Sequence, residues 1–392
     1  MSNQQEFRRS VLAFYGASAS QTEELLAYNQ NLFSHKCLKH AVKFPLAPEA
    51  HVSVWEEYAF AARVIGAFEA LKQCLVQFQF PILAGISQTE AYRSATRKGV
   101  PVDNIPEATG LILTLPEKLQ LIIHQSLAGA IPVLLAGNRE DFVTLVQALT
   151  MQNEPKLVPA SMGACMVAGF NNWDRIRRYR QQWSAKNSGN CSESSWAAEF
   201  RSIIPQKTLY QDRFIILSDG FYSDISGIDM GLSELEWQRL SLTIRLEHEC
   251  THYFTRRLFG SMRNNMLDEL IADYRGIVAA TGYYRADWFL RFVGLESFPH
   301  YREGGRMQNY RGQPPLCDRA FKILQALVKA AAENLQRFHT DHASELRNSN
   351  IQPLMLIALT YLTLEELASK EANFRIKQTL EELQKTISAS TH

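Results

Sequence analysis

Residues 233–260, SELEWQRLSLTIRLEHECTHYFTRRLFG, decide how the C-terminal half of this chain folds. Ser233 and Glu236 form S-x-x-E, the signature of a helix start, and Leu235, Leu242, Leu246, Glu249 and Tyr253 then recur at nearly 3.6-residue spacing. Gly260 supplies a stop. The stretch therefore predicts one helix of about 26 residues, ~39 Å at 1.5 Å per residue, long for a surface element and suited to spanning a core. Near its C-terminal end stands His248-Glu249-Cys250-Thr251-His252, which reads H-E-x-x-H. Imidazoles four residues apart leave one helix face about a turn apart. Both can bind one Zn²⁺ while Glu249 stays free to handle a proton.

A zinc site that performs hydrolysis normally takes three protein ligands and leaves a fourth position open, so a further donor is expected on a neighbouring element. The next segment offers it. Asn264-Asn265 can cap a second helix over about 266–281, closed by Gly282, whose first turns carry Asp268, Glu269 and Asp273. Glu269 and Asp273 form E-x-x-x-D and share a face. Glu269 can thus reach the metal, while Asp273 can accept the remaining ring N–H of a ligating histidine. Asp268 and Asp273 are the alternative third ligands.

With these two helices the chain resembles the gluzincin clan of zinc metallopeptidases, in which an H-E-x-x-H helix is followed by one bearing E-x-x-x-D. The likeness covers residues 233–282. It implies His248, His252 and Glu269 as metal ligands, Glu249 as general base and Asp273 as the group that orients a ligating histidine. The connector from Tyr253 to Asp268 has sixteen residues, shorter than in the thermolysin-like branch, and no G-x-M-E-N exopeptidase signature is present. The resemblance is to the clan rather than to one of its families.

Such a site implies hydrolysis of a peptide or amide bond. Zinc lowers the pKa of bound water to about 7, and Glu249, about 100° around the helix from His248, is placed to take its proton. A donor to the developing oxyanion is expected among Tyr283, Tyr284, His300, Tyr301, Arg302, Arg306 and Tyr310. The rival readings are a zinc amidase acting on a small molecule, a non-hydrolytic binding or structural protein that keeps the zinc helices, and an iron or manganese site, which shares the two-histidine, one-carboxylate donor set. In the plainest reading, His248 and His252 are satisfied core or surface histidines. Cys250 reads as a packed residue and Glu247 as a structural or solvated carboxylate.

The expected fold class is α+β: a helix-rich, zinc-peptidase-like catalytic half over residues 191–392, preceded by a mixed α/β half over residues 1–190. In that first half, helical patterns near 21–33, 54–78 and 89–98 surround strand-like runs at 110–115, 119–124 and 131–136. Gly137-Asn138 follows a strand and opens a helical pattern. The run 159–165, with Ser161 and Cys165, reads as a tight turn rather than a nucleophile motif. Arg213 to Leu217 is a short strand, either buried or an edge on which an extended peptide substrate could pair. Residues 184–195, rich in Ser, Asn and Gly, read as an exposed boundary loop. Helical patterns fill 316–338, 351–370 and 371–387.

Composition removes several function classes. A net charge of +1 provides no field to hold nucleic acid or an anionic membrane. The arginines between Trp173 and Trp183 therefore read as a solvated helix face. The polar start of the chain carries no secretory signal, and the apolar run near 354–364 is too short to span a bilayer. Six cysteines without C-x-x-C spacing point to reduced thiols and a cytoplasmic setting. His339 and His342 read as solvent histidines rather than a second metal site.

Overall fold

The computed structural model describes residues 3–39, 42–103, 105–187, 192–260 and 265–389. It is helix-rich with one small mixed sheet, an α+β architecture, and divides into two compact units. One unit joins residues 1–46 to 221–392; the other spans 47–220. The expected division at 190/191 falls inside the second unit.

The first 46 residues belong with the C-terminal part for a physical reason. Helices Asn3–Phe14 and Ala19–Tyr28 are pinned to the segment Leu364–Ala368, where Glu365, fully buried, receives Arg8 at 3.1 Å and Asn29 Nδ2 at 3.1 Å. The Tyr15 hydroxyl adds a bond to the Ala368 carbonyl at 3.1 Å. A buried carboxylate without these donors would be costly, so the contacts that neutralise it also fix the chain start.

In the unit spanning 47–220, strands β1 (Gln120–Ser126), β2 (Gly129–Leu135), β3 (Ala164–Asn171) and β4 (Gln211–Leu217) form a sheet in the order β1-β2-β4-β3. β2 and β4 run parallel; β1–β2 and β3–β4 are antiparallel. Trp55, Leu71, Phe78, Phe142, Phe214 and Ile216 form its core. β4 is therefore an interior strand, hydrogen-bonded on both sides, with Phe214 to Leu217 at most 1% exposed. It is the buried alternative rather than a sheet edge.

Other local expectations shift for visible reasons. The predicted helix 54–78 is two helices, Val52–Ile65 and Ala67–Cys74, broken at Gly66, whose φ of 86° no continuing helix allows. The run 110–115 is not a strand. The backbone N–H groups of Thr114 and Leu115 donate to the buried Asp141 carboxylate instead of to a sheet neighbour. Asn138 does cap helix Arg139–Thr150, accepting from Asp141 N at 2.7 Å. The predicted tight turn over 159–165 runs directly into β3, which the sequence reading did not contain. On helix Trp173–Lys186 the arginines are paired rather than merely solvated. Arg175 is buried and donates to Asp212 at 2.6 Å, and Arg178 donates to Asp174 at 2.7 Å.

In the other unit the motif helix runs Glu234–Phe259, with Ser233 accepting from Glu236 N and Gly260 closing it at φ 69°. The acidic helix runs Met266–Thr281, opened by a reciprocal cap between Asn265 and Asp268 and closed by Gly282. Asn264, the other proposed cap, lies outside the described residues. The two helices lie against each other, and a Cβ on Gly276 would stand 2.7 Å from the Ile244 carbonyl oxygen. Helices Ala286–Val293, Asp318–Asp341, Ile351–Tyr361 and Ala372–Ala389 complete this unit. Among the described residues no helix is long and apolar enough to cross a membrane. Cys74, Cys165, Cys250 and Cys317 are free thiols; the Cys37 side chain and Cys191 lie outside the described residues.

Candidate metal centre

The motif helix and the acidic helix bring three donors to one point. His248, His252 and Glu269 are 6%, 7% and 1% exposed, and one ligand atom from each lies within 4.8 Å of the others, a group that could hold a metal ion. The two Nε2 atoms are 3.0 Å apart. Glu269 Oε1 lies 3.4 Å from His252 Nε2, and its Oε2 3.7 Å from His248 Nε2. A tetrahedral ion with ligand bonds of about 2.05 Å needs donor–donor edges of about 3.3 Å. The observed edges straddle that value, although the two carboxylate oxygens each serve a different histidine. Glu269 Oε2 is buried without a hydrogen-bond partner, which a bound cation would provide.

Asp273 is fully committed elsewhere. Its Oδ1 lies 2.7 Å from His248 Nδ1 and accepts the Tyr222 hydroxyl at 2.6 Å; its Oδ2 accepts Arg306 Nη2. With Nδ1 donating to Asp273, the lone pair of His248 is on Nε2 and faces His252 and Glu269. Asp268 is occupied at the helix N-terminus, where it caps Asn265 N. Of the three candidate third ligands, Glu269 alone presents its carboxylate to both histidines. Glu249 is half-buried on the motif helix, close enough for its carboxylate to favour a charged His252.

Charge at the centre is set by competition. Burial disfavours a charged His252, but hydrogen bonding and Coulombic attraction from Glu269, with help from Glu249 and Asp268, outweigh it and raise its pKa to about 9. Burial alone would push the Glu269 carboxyl up; His248, His252 and Arg306 together hold it well below the usual range. Asp273 is likewise held down, against its burial, by Arg306 and His248. The shift favours a charged His252 at neutral pH.

Tyr222 and Arg306 are the residues that sequence reasoning missed in these roles. Tyr222 precedes the motif helix in a short turn whose next two residues, Ser223 and Asp224, have φ of 54° and 56°. Its N–H is held by Ser241 Oγ at 3.0 Å. A lone tyrosine 26 positions before a histidine forms no recognisable pattern; the two non-glycine residues in left-handed conformation are visible only in the structure. Arg306 was expected as an oxyanion donor but is engaged with Asp273, Tyr222 and Glu269. Tyr310 comes from the same 3-10 turn, and burial followed by the nearby Glu269 charge raises its pKa, so the phenol stays protonated. The other oxyanion candidates are placed differently. Tyr283 is half exposed, Tyr284 is buried against Tyr274, Tyr301 donates to the Gly305 carbonyl, and Arg302 pairs with Glu296.

The remaining readings resolve simply. Cys250 is buried at 4% exposure, and Glu247 pairs with Arg275 at 2.9 Å. His339 is buried rather than a solvent histidine, bonded through Nδ1 to Tyr274 at 2.9 Å, and burial pushes its pKa down to about 4. His342 Nδ1 bonds the Phe338 carbonyl at 3.0 Å. Neither forms part of a metal-binding group among the described residues.

No curated protein and no solved structure matches this chain. One family model does, over residues 10–371, most of its length. On that match the chain belongs to DUF7005, a family of unknown function.

Proposed function

We propose that the chain is a zinc-dependent hydrolase of peptide or other amide bonds, with His248, His252 and Glu269 as protein ligands, Glu249 as general base and a peptide or protein as substrate. One observation carries this reading: two buried imidazoles, four residues apart on one helix, converge with a buried carboxylate from a second helix at near-tetrahedral spacing, and one of the rings is fixed from behind by Asp273. Two histidines and one carboxylate suit zinc, which when bound supplies Lewis acidity and lowers the pKa of water to about 7.

The chain's own side chains supply the rest. Asp273 keeps the His248 proton on Nδ1, so that Nε2 remains a ligand atom. Glu249 leaves the helix beside His248 and, with its carboxylate only half-buried, can take a proton from an attacking water and return it to the departing amine. The Tyr310 phenol, kept protonated by burial and the Glu269 charge, can serve as an O–H donor. The free thiols of Cys74, Cys165, Cys250 and Cys317 fit action in a reducing cytoplasm.

The test is Glu249→Gln in protein whose metal content has been measured. Wild-type protein is expected to carry about one zinc per chain and to cleave members of a panel of peptides and small amides. The variant should keep the zinc and lose cleavage by at least about 100-fold, the usual size of a general-base contribution. Cleavage by Glu249→Gln at the wild-type rate, or zinc binding unaffected in His248→Ala, would refute the reading.

A further inference from the structure

We infer that Arg306 is a resident counter-cation of this centre: it holds the Glu269 and Asp273 carboxylates in position before an ion arrives and competes with that ion for Glu269. The inference rests on the metal-binding reading of His248, His252 and Glu269 given above.

Glu269 and Asp273 lie one turn apart on the acidic helix, 1% and 0% exposed. Two buried like charges at that spacing repel each other and have lost their hydration, so the fold needs positive charge beside them. His252 can supply it only while protonated. Arg306 supplies it permanently, because a guanidinium does not lose its proton in a protein. Its Nη2 donates to Asp273 Oδ2 and stands 3.6 Å from Glu269 Oε2, the oxygen without a hydrogen-bond partner. Its Nη1 donates to the Tyr222 hydroxyl at 2.7 Å, and the guanidinium carbon lies 5.2 Å from the centroid of that ring.

The backbone that carries Arg306 is held independently of the carboxylates. The preceding Gly305 is pressed so closely on Gly294 that a Cβ on either would fall 2.7–2.8 Å from the other's Cα, and Arg302 N bonds the Gly294 carbonyl at 2.9 Å. The cation is delivered by a fixed backbone, so it remains when an ion enters. An ion bound by Glu269 then shares that carboxylate with Arg306, two like charges on one anion. Arg306 must weaken the ion's hold, and by reciprocity the ion must weaken the hold of Arg306 on Glu269 by the same factor.

A residue that merely braced the site would act with the opposite sign, since its loss would loosen the ligands and weaken binding. The experiment compares wild type, Arg306→Gln and Arg306→Lys, measuring the zinc dissociation constant by competition with a chelator and the Tm with and without zinc. Arg306→Gln is expected to bind zinc about tenfold more tightly, within the usual range of coupling between sites. It should also melt lower than wild type without metal and gain more from zinc. Arg306→Lys, which keeps the charge, should stay near wild type. If metal-free Arg306→Gln does not fold, refolding with zinc should restore it, and failure to do so overturns the inference. Equal or weaker zinc binding by Arg306→Gln also overturns it while leaving the metal site standing. Absence of zinc binding by wild type overturns the site itself.

Discussion

Metal uptake by this centre should expel a proton, and the same proton should make the metal-free protein sensitive to alkali. The folded-state pKa of His252 is about 9 against an ordinary value of 6.5, because Glu269 overcomes the effect of burial. A raised pKa contributes stability that is complete below 6.5 and disappears as pH rises through 9. Each pKa unit is worth 1.36 kcal/mol, so the span corresponds to about 3 kcal/mol, counted once for the His252–Glu269 pair rather than once per partner. The metal-free protein should therefore lose about 3 kcal/mol between pH 6.5 and pH 9 in denaturant unfolding with a chelator present, and Glu269→Gln should lose far less. At pH 7 the proton must leave before His252 can bind an ion. That costs about 3 kcal/mol, or roughly 100-fold in apparent affinity relative to pH above 9. Calorimetric zinc titrations at pH 7 in two buffers of different ionisation enthalpy should report close to one proton released per ion. Zero protons released, or an affinity flat from pH 6.5 to 9, would show that no proton is held between these donors and would sink the charge assignment.

Three further substitutions separate the layers of the site. Asp273→Asn removes the carboxylate that answers Arg306, Tyr222 and His248; breaking a buried pair in this way should cost about 3 kcal/mol in unfolding free energy, and zinc affinity should fall about 10- to 100-fold in chelator competition. Gly276→Ala drives a methyl into the Ile244 carbonyl and should push apart the two helices that carry His248, His252 and Glu269, costing about 1–3 kcal/mol and weakening zinc binding. Ser233→Ala removes the cap of the motif helix at its far end, so it should lower stability by about 1 kcal/mol and leave zinc affinity unchanged.

What the sequence makes legible here is local. Ser233, Gly260, Asn265 and Gly282 each act within four residues of themselves, through a cap or a left-handed stop, and so both helix spans can be read from residue order alone. The i, i+4 pairs His248/His252 and Glu269/Asp273 are legible for the same reason, since helix geometry fixes their faces. Long-range events are not. The apolar run at 110–115 has the composition of a strand, but the amides of Leu115 and Thr114 go to Asp141, 26 and 27 residues away, and no local pattern announces those bonds. The burial of β4 depends on two flanking strands that both lie 40 or more residues earlier in the sequence. Tyr222 and Arg306 reach Asp273 from 51 residues before it and 33 after it.

The spacing between the two helices explains why the centre sits in the core rather than on a loop. A tetrahedral donor set tolerates only a few tenths of an ångström in its edges, so two ligands on one helix and one on another require a fixed interhelical distance. Gly276 sets it by admitting the Ile244 carbonyl where any side chain would intrude. That contact lies two turns beyond Glu269 on the acidic helix and one turn before His248 on the motif helix. It therefore acts as a spacer beside the donors rather than among them. The buried network of Asp273, Tyr222 and Arg306 then removes the remaining freedom, the rotation of His248 about its own side chain. Backbone contact fixes the distance and charge fixes the ring. A perturbation of the first should therefore lower ion affinity and stability together, whereas substitution of Arg306 should move them in opposite directions.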